Sequence, residues 1–76
     1  MALKTGVLVI GASGQIGTEL VMALRAQYGN DNVIASDLKT ASKEVIESGP
    51  FQQLDVMDRD RLQQIVVQYN IGQVYL

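Results

Sequence analysis

Seventy-six residues, 47% of them hydrophobic and 18% charged, suffice for one small domain at most, and a chain this short buries only roughly 60% of its unfolded surface. A net charge of −2 with six scattered basic residues leaves no electrostatic footprint for nucleic acid, and the apolar runs are far too short for a membrane span. The absence of cysteine and histidine excludes disulfides, thiolate metal sites and the commonest general base.

Met1-Ala2-Leu3-Lys4 shows no secretory h-region and no cleavage site, so the chain is expected to run straight into a strand and to stay in the cytoplasm. Thr5 to Ile10 is that strand. Its Val7-Leu8-Val9-Ile10 run is continuously apolar, the pattern of a strand covered on both faces of a parallel sheet. From Gly14 to Tyr28 the period becomes helical, with Ile16, Leu20, Ala23 or Leu24 and Tyr28 on the apolar side and Gly29 as the stop. Asn30-Asp31-Asn32 is a turn cluster, and Val33 to Asp37 a second strand that finishes on an acid. A short helix is predicted over Ala41 to Glu47, broken by Gly49-Pro50. Phe51 to Val56 reads as a third strand. Asp58 then caps a helix to Asn70 with Leu62, Ile65, Val66 and Tyr69 on one face, ended by Gly72. Gln73 to Leu76 opens a fourth strand. Strand and helix alternating over short connections predict an α/β fold with a doubly wound parallel sheet. No linker or domain boundary is visible. Met22, Met57, Tyr28 and Tyr69 are expected in the core or on helix faces.

The chemistry sits in Gly11-Ala12-Ser13-Gly14-Gln15-Ile16-Gly17, directly after the first strand. Gly11 allows the strand to turn, Gly14 keeps side chains away from an approaching pyrophosphate, and Gly17 lets helix and strand pack closely. The anion then meets unpaired N–H groups and the positive end of the helix dipole. Ile16 belongs to the same turn. Ser13 and Gln15 either reach the phosphates or merely fill the turn. Asp37, twenty positions past Gly17, is where an acid accepts hydrogen bonds from the adenosine ribose hydroxyls. Its charge repels a 2′-phosphate and so favours NAD over NADP; Lys39 is the opposing signal, and a plain surface acid is the alternative. Leu38 follows Asp37 in the same cofactor-binding set. Asp55 either accepts from the adenine amino group, with Val56 packed on the ring, or caps the next helix. No tyrosine has a lysine four residues on, so no catalytic residue and no metal site is expected: the segment alone binds without turnover.

These features resemble the extended short-chain dehydrogenase/reductase superfamily, in its epimerase/dehydratase branch. The resemblance rests on the GxxGxxG spacing, Asp37 after strand two and Asp55-Val56 after strand three. Within that branch, Gly29 to Asp37 and Gly49-Pro50-Phe51 are most similar to the short-chain-type L-threonine 3-dehydrogenases. The resemblance implies that residues 1–76 are the N-terminal segment of an NAD-binding Rossmann domain, incomplete here as β-α-β-α-β-α-β. It implies a homodimer in which hydride passes from the β-carbon of L-threonine to NAD while a tyrosine base, tuned by a lysine four residues on, removes the hydroxyl proton, giving 2-amino-3-oxobutyrate. Those catalytic positions lie in the family beyond Leu76, while backbone near Leu76 approaches the cofactor. A nucleotide-sugar epimerase or dehydratase, and a non-catalytic NAD-sensing module, remain as alternatives. With sheet edges and one apolar face uncovered, the 76-residue segment alone is expected to aggregate or stay partly unfolded.

Overall fold

The structure, a computed structural model, describes residues 4–76; Met1, Ala2 and Leu3, read above as the lead into the first strand, lie outside the described residues. The elements in order are β1 (Gly6–Ile10), α1 (Gln15–Tyr28), β2 (Val33–Asp37), α2 (Lys43–Ser48), β3 (Phe51–Gln53), α3 (Arg59–Gln68) and β4 (Ile71–Tyr75), with a 3-10 turn at Asn30–Asn32. All neighbouring strands pair in parallel, in the order β3-β2-β1-β4. This is the strand order of a doubly wound Rossmann sheet about its first strand. The chain steps outward from β1 to β3 and then crosses back to the other side of β1. The carboxyl ends of β1 and β4 therefore flank the switch point where such sheets open a crevice.

The apolar run of β1 is buried because alternate residues enter two different cores. Val7 and Val9 join Val33, Ala35, Val21, Leu24 and Val45 under α1 and α2. Leu8 and Ile34 join Leu54, Ile65 and Ile71 under α3, with Leu62, Val66 and Tyr69 packed against them as expected. Burying one such aliphatic side chain contributes about 1.5–3 kcal/mol. Tyr28 and Met22 also pack where expected, against the first core. Among the described residues no helix is long and apolar enough to cross a membrane, and no group of three or more acidic side chains is placed to hold a metal.

Several boundaries differ from the sequence reading for local reasons. The second helix covers Lys43–Ser48 rather than Ala41 to Glu47, with Ser42 at its N-cap position. β3 stops at Gln53, not Val56. Leu54 donates one more backbone bond to Asp37 O at 2.9 Å. Asp55 then folds the chain into a turn, its carboxylate accepting from Met57 N at 2.9 Å and its carbonyl from Asp58 N at 2.9 Å. A short carboxylate bonding its own backbone competes with a strand ladder. That turn also exposes Met57 at 83%, against the expected core or helix-face position. Ile16, counted on the apolar stripe of α1, is likewise 83% exposed. It stands on the first turn, at the mouth of a cleft and ahead of the stretch that meets the sheet.

α3 is capped as predicted, Asp58 Oδ1 accepting from Arg61 N at 3.1 Å, a device that contributes about 1 kcal/mol. Gly72, expected to end that helix, lies inside β4. The helix is instead closed by Tyr69 and Asn70, the latter at φ 55; asparagine enters the left-handed region more readily than most residues. Gly72 serves a close approach, since a Cβ there would overlap the Lys4 carbonyl oxygen.

Arg25, a residue the sequence reading passed over, occupies the inward face of α1 and is 2% exposed. Its guanidinium donates to Val33 O at 3.1 and 3.0 Å, Val45 O and Pro50 O at 2.7 Å each, and Ser48 Oγ at 3.1 Å. It thereby ties α1 to β2, α2 and the turn into β3. Burial lowers its pKa and the charge of Asp31 works against that shift.

Candidate functional site

The end of β1 is held from β2 before the glycine turn begins. Ser36 is fully buried and its Oγ donates to Val9 O at 2.8 Å. The Ser36 carbonyl accepts from Gly11 N at 2.9 Å and Ala12 N at 3.0 Å. The chain turns at Gly11, whose φ of 87 would strain any L side chain. It then enters α1 so close to the turn that a Cβ on Gly17 would overlap the Gly11 carbonyl oxygen and lie 2.9 Å from Ala12 Cα. Thr18 Oγ1 donates to Ala12 O at 3.3 Å and Thr18 N to Gly14 O at 2.8 Å, fixing the first turn.

Gly14 is the N-cap of α1. It provides no side-chain cap, and the first helical turn carries no acid. A Cβ at Gly14 would meet nothing within 4 Å. The contrast with α3, whose N-terminus holds both the Asp58 cap and Asp60, is a physical one. At α1 the unpaired N–H groups and the positive dipole end face open space, which suits an anion. A cleft of about 480 Å³ opens there, lined by residues that include Gly11, Gly14, Gln15, Ile16, Gly17 and Leu76. Leu76, 92% exposed just after β4, thus meets the glycine turn across the switch point.

A second cleft, about 190 Å³, lies on the β2 side of Gly11 and is lined by Ile10, Gly11, Asp37, Leu38, Leu54 and Val56. Gly11 and Ile10 line both spaces, so the two clefts form one trough over the carboxyl ends of β4, β1 and β2. The sequence-predicted residues divide accordingly: the glycines with Gln15, Ile16 and Leu76 on one side, Asp37, Leu38 and Val56 on the other. Asp55 is the exception, its carboxylate turned to the local Met57 N–H.

Asp37 reaches back to the glycine turn. Its Oδ2 accepts from Ser13 N at 3.0 Å and from Ser13 Oγ at 2.6 Å, while Oδ1 accepts from Leu38 N at 2.7 Å. The Ser13 hydroxyl bond is the main cause that holds this carboxyl below the usual carboxylate range; partial burial opposes it and the Ser13, Leu38 and Lys39 backbone N–H groups add to it. Asp37 is therefore ionised at neutral pH, ready to accept from hydroxyls and to repel a phosphate. The unfolded chain, with a carboxyl pKa of about 3.9, takes up a proton before the folded one as pH falls. The clamp's contribution to stability is thus complete above that value and is lost as pH drops through the lower folded-state pKa. Unfolding free energies of the unmutated protein and Asp37→Asn, followed by denaturant titration, are expected to differ at pH 6 and to converge in acid. A gap independent of pH would contradict this.

The trough suits a dinucleotide: an open glycine cradle for a pyrophosphate and, one strand over, an ionised acid beside an apolar slot for an adenosine. Comparison with known proteins agrees. A model of the NAD dependent epimerase/dehydratase family matches residues 7–76. An uncharacterised epimerase/dehydratase of Staphylococcus aureus is 48% identical over 61 residues, which is 79% of this chain and 19% of that protein. Among solved structures, the L-threonine dehydrogenase of Clostridium difficile superposes with a TM-score of 0.85 at 40% identity, over 96% of this chain and 23% of that one. The holo form of an L-threonine dehydrogenase from Cupriavidus necator gives 0.83 at 41% identity, over 93% and 23%. The chain thus spans about a fifth of the length of the proteins it matches. On the family match, the parallel sheet and the glycine cradle together, this chain belongs to the NAD-dependent epimerase/dehydratase family, and its cofactor is NAD.

Proposed function

We propose that residues 1–76 are the N-terminal segment of the NAD-binding domain of a cytoplasmic, homodimeric L-threonine 3-dehydrogenase. The observation that carries the cofactor half of this reading is the Asp37 carboxylate, fixed at the end of β2 beside the glycine cradle. The substrate half is supported by the similarity to threonine dehydrogenases at 40% and 41% identity over nearly the whole segment. Gly11, Gly14 and Gly17 admit the pyrophosphate, with the N–H groups of Gln15 and Ile16 at the start of α1 facing it. Asp37 accepts from the ribose hydroxyls, Leu38 and Val56 border the adenine, and Leu76 bounds the trough on the β4 side. NAD, when bound, supplies the hydride acceptor for oxidation of the threonine β-hydroxyl to 2-amino-3-oxobutyrate. Neither Tyr28 nor Tyr69 is followed four residues on by a lysine that would tune it to act on that hydroxyl, and the task read here for the segment is to bind and orient.

A second reading, a nucleotide-sugar epimerase or dehydratase, draws on the 48% identity to an epimerase/dehydratase. Both use the same cofactor half and they part on substrate. The full-length protein is expected to form NADH from NAD with L-threonine, followed by the absorbance of NADH, and to leave UDP-sugars unchanged. No NADH with threonine, together with NAD-dependent conversion of a UDP-sugar, would move the assignment to the second reading. No NAD binding at all would overturn both.

A further inference from the structure

Ser13 belongs to the glycine turn, yet it lines neither cleft. Its hydroxyl is not needed to shape the turn, which is fixed by the Ser36 carbonyl through Gly11 N and Ala12 N and by Thr18 Oγ1 on Ala12 O. Nor is it needed to place Asp37 along the chain, because the Asp37 carbonyl is held by Leu54 N at the β2–β3 margin. What Ser13 does hold is the carboxylate itself. The hydroxyl and the backbone N–H of Ser13 converge on Oδ2 from the β1–α1 turn, and Leu38 N pins Oδ1 from the opposite side. Without the 2.6 Å hydroxyl bond, Oδ2 would keep only the 3.0 Å bond from Ser13 N, and the carboxylate would turn more freely about its terminal bond, where the torsional wells are broad. With both Ser13 donors on Oδ2 and Leu38 N on Oδ1, it presents one orientation to the trough.

We propose that Ser13 is a positioning residue for cofactor recognition: it orients the Asp37 carboxylate toward the ribose, and so contributes to NAD affinity and to the preference for NAD over NADP without touching the cofactor. The inference rests on the NAD reading above and deepens it. An acceptor already ordered before binding avoids the entropy of freezing a rotamer at that moment, a saving of roughly three- to tenfold in affinity. A fixed carboxylate also keeps its charge where a 2′-phosphate would sit, whereas a rotating one is easier to displace.

Isothermal titration of the full-length protein with NAD and with NADP tests this. Ser13→Ala is expected to weaken NAD binding roughly three- to tenfold and to narrow the NAD/NADP ratio, with an unchanged circular dichroism spectrum. Ser13→Thr keeps the hydroxyl and is expected to restore both. In an Asp37→Asn background, Ser13→Ala is expected to cause little further loss, because the two side chains act as one unit. Equal losses in the two backgrounds would mean that Ser13 contacts the cofactor directly, and no loss in either would mean that the clamp is irrelevant to binding; each overturns the proposal. Absence of NAD binding by the unmutated protein is a distinct result that overturns the NAD reading as well.

Discussion

Arg25→Leu is expected to lower the unfolding free energy by about 3–5 kcal/mol, the scale of several buried acceptors losing their donor at about 1–3 kcal/mol each. Arg25 is 2% exposed and its guanidinium donates to three backbone carbonyls and one hydroxyl. That partner set decides the sign. A buried ion pair can often be exchanged for apolar residues at no cost, because both charges leave together. Here the acceptors at Val33, Val45 and Pro50 belong to the main chain and cannot be removed by substitution. Leucine would strand them, and each unsatisfied buried group costs about 1–3 kcal/mol. The Pro50 carbonyl keeps one donor, Ala35 N at 3.0 Å, which limits the loss there. Natural domains hold roughly 0.05–0.15 kcal/mol of stability per residue, so a unit of this size has little to spare. Gly49 belongs to the same arrangement, since a Cβ there would lie 2.6 Å from Asn30 O and 2.7 Å from Arg25 Nε. Thermal and denaturant unfolding of the full-length protein would check the expectation. Arg25→Lys, which retains the charge but lacks the planar fork, is expected to fall between. An Arg25→Leu protein with an unchanged transition would contradict this account.

What could be read from the sequence is what depends on neighbours along the chain. The period switch at the first glycines, the proline break at Gly49-Pro50 and the Asp58 cap are all written within a few residues of where they act, and each stands where expected. The glycine cradle and Asp37 were also legible, because their spacing follows from one strand, one helix and one more strand. Arg25 was not. A charged residue on the stripe of Val21, Leu24 and Tyr28 fits an amphipathic pattern poorly and was passed over. Yet its i+4 position from Val21, with no acid at i±4 to pair with (position 21 is Val21 and position 29 is Gly29), was the available signal. The partners that explain it lie up to 25 residues away. The Ser13–Asp37 clamp spans 24 residues for the same reason and had no local signature. The early end of β3 and the exposure of Met57 come from the Asp55 turn, where a side chain competes with the ladder in a way that apolar patterning does not register.

Gly14→Ala and Gly17→Ala are expected to fail for different reasons, although both belong to one motif. At Gly17 alanine would gain about 1 kcal/mol of helix propensity, but its Cβ would overlap the Gly11 carbonyl oxygen and crowd Ala12 Cα at 2.9 Å. Those atoms are backbone, fixed in turn by the Ser36 carbonyl, so the helix must move off the strand. Overpacking of this kind costs about 1–3 kcal/mol, which outweighs the propensity gain. The same displacement spoils the cradle, because the backbone N–H groups at the start of α1 move with the helix and hydrogen bonds weaken steeply once their geometry is lost. Gly17→Ala is therefore expected to lower both the unfolding midpoint and the affinity for NAD. At Gly14 the added methyl meets nothing within 4 Å, and φ −78 with ψ 172 suits any residue. The stability cost there is confined to the helix cap, about 1 kcal/mol or less. The methyl does, however, project from the wall of the 480 Å³ cleft into the space assigned to the pyrophosphate, so NAD affinity is expected to fall at least tenfold while the fold persists. Differential scanning calorimetry beside NAD titration separates the two. If Gly14→Ala bound NAD as tightly as the unmutated protein, the pyrophosphate would have to lie elsewhere than over the start of α1. If Gly17→Ala kept both its midpoint and its affinity, the close contact of helix and turn would not be what shapes the cradle.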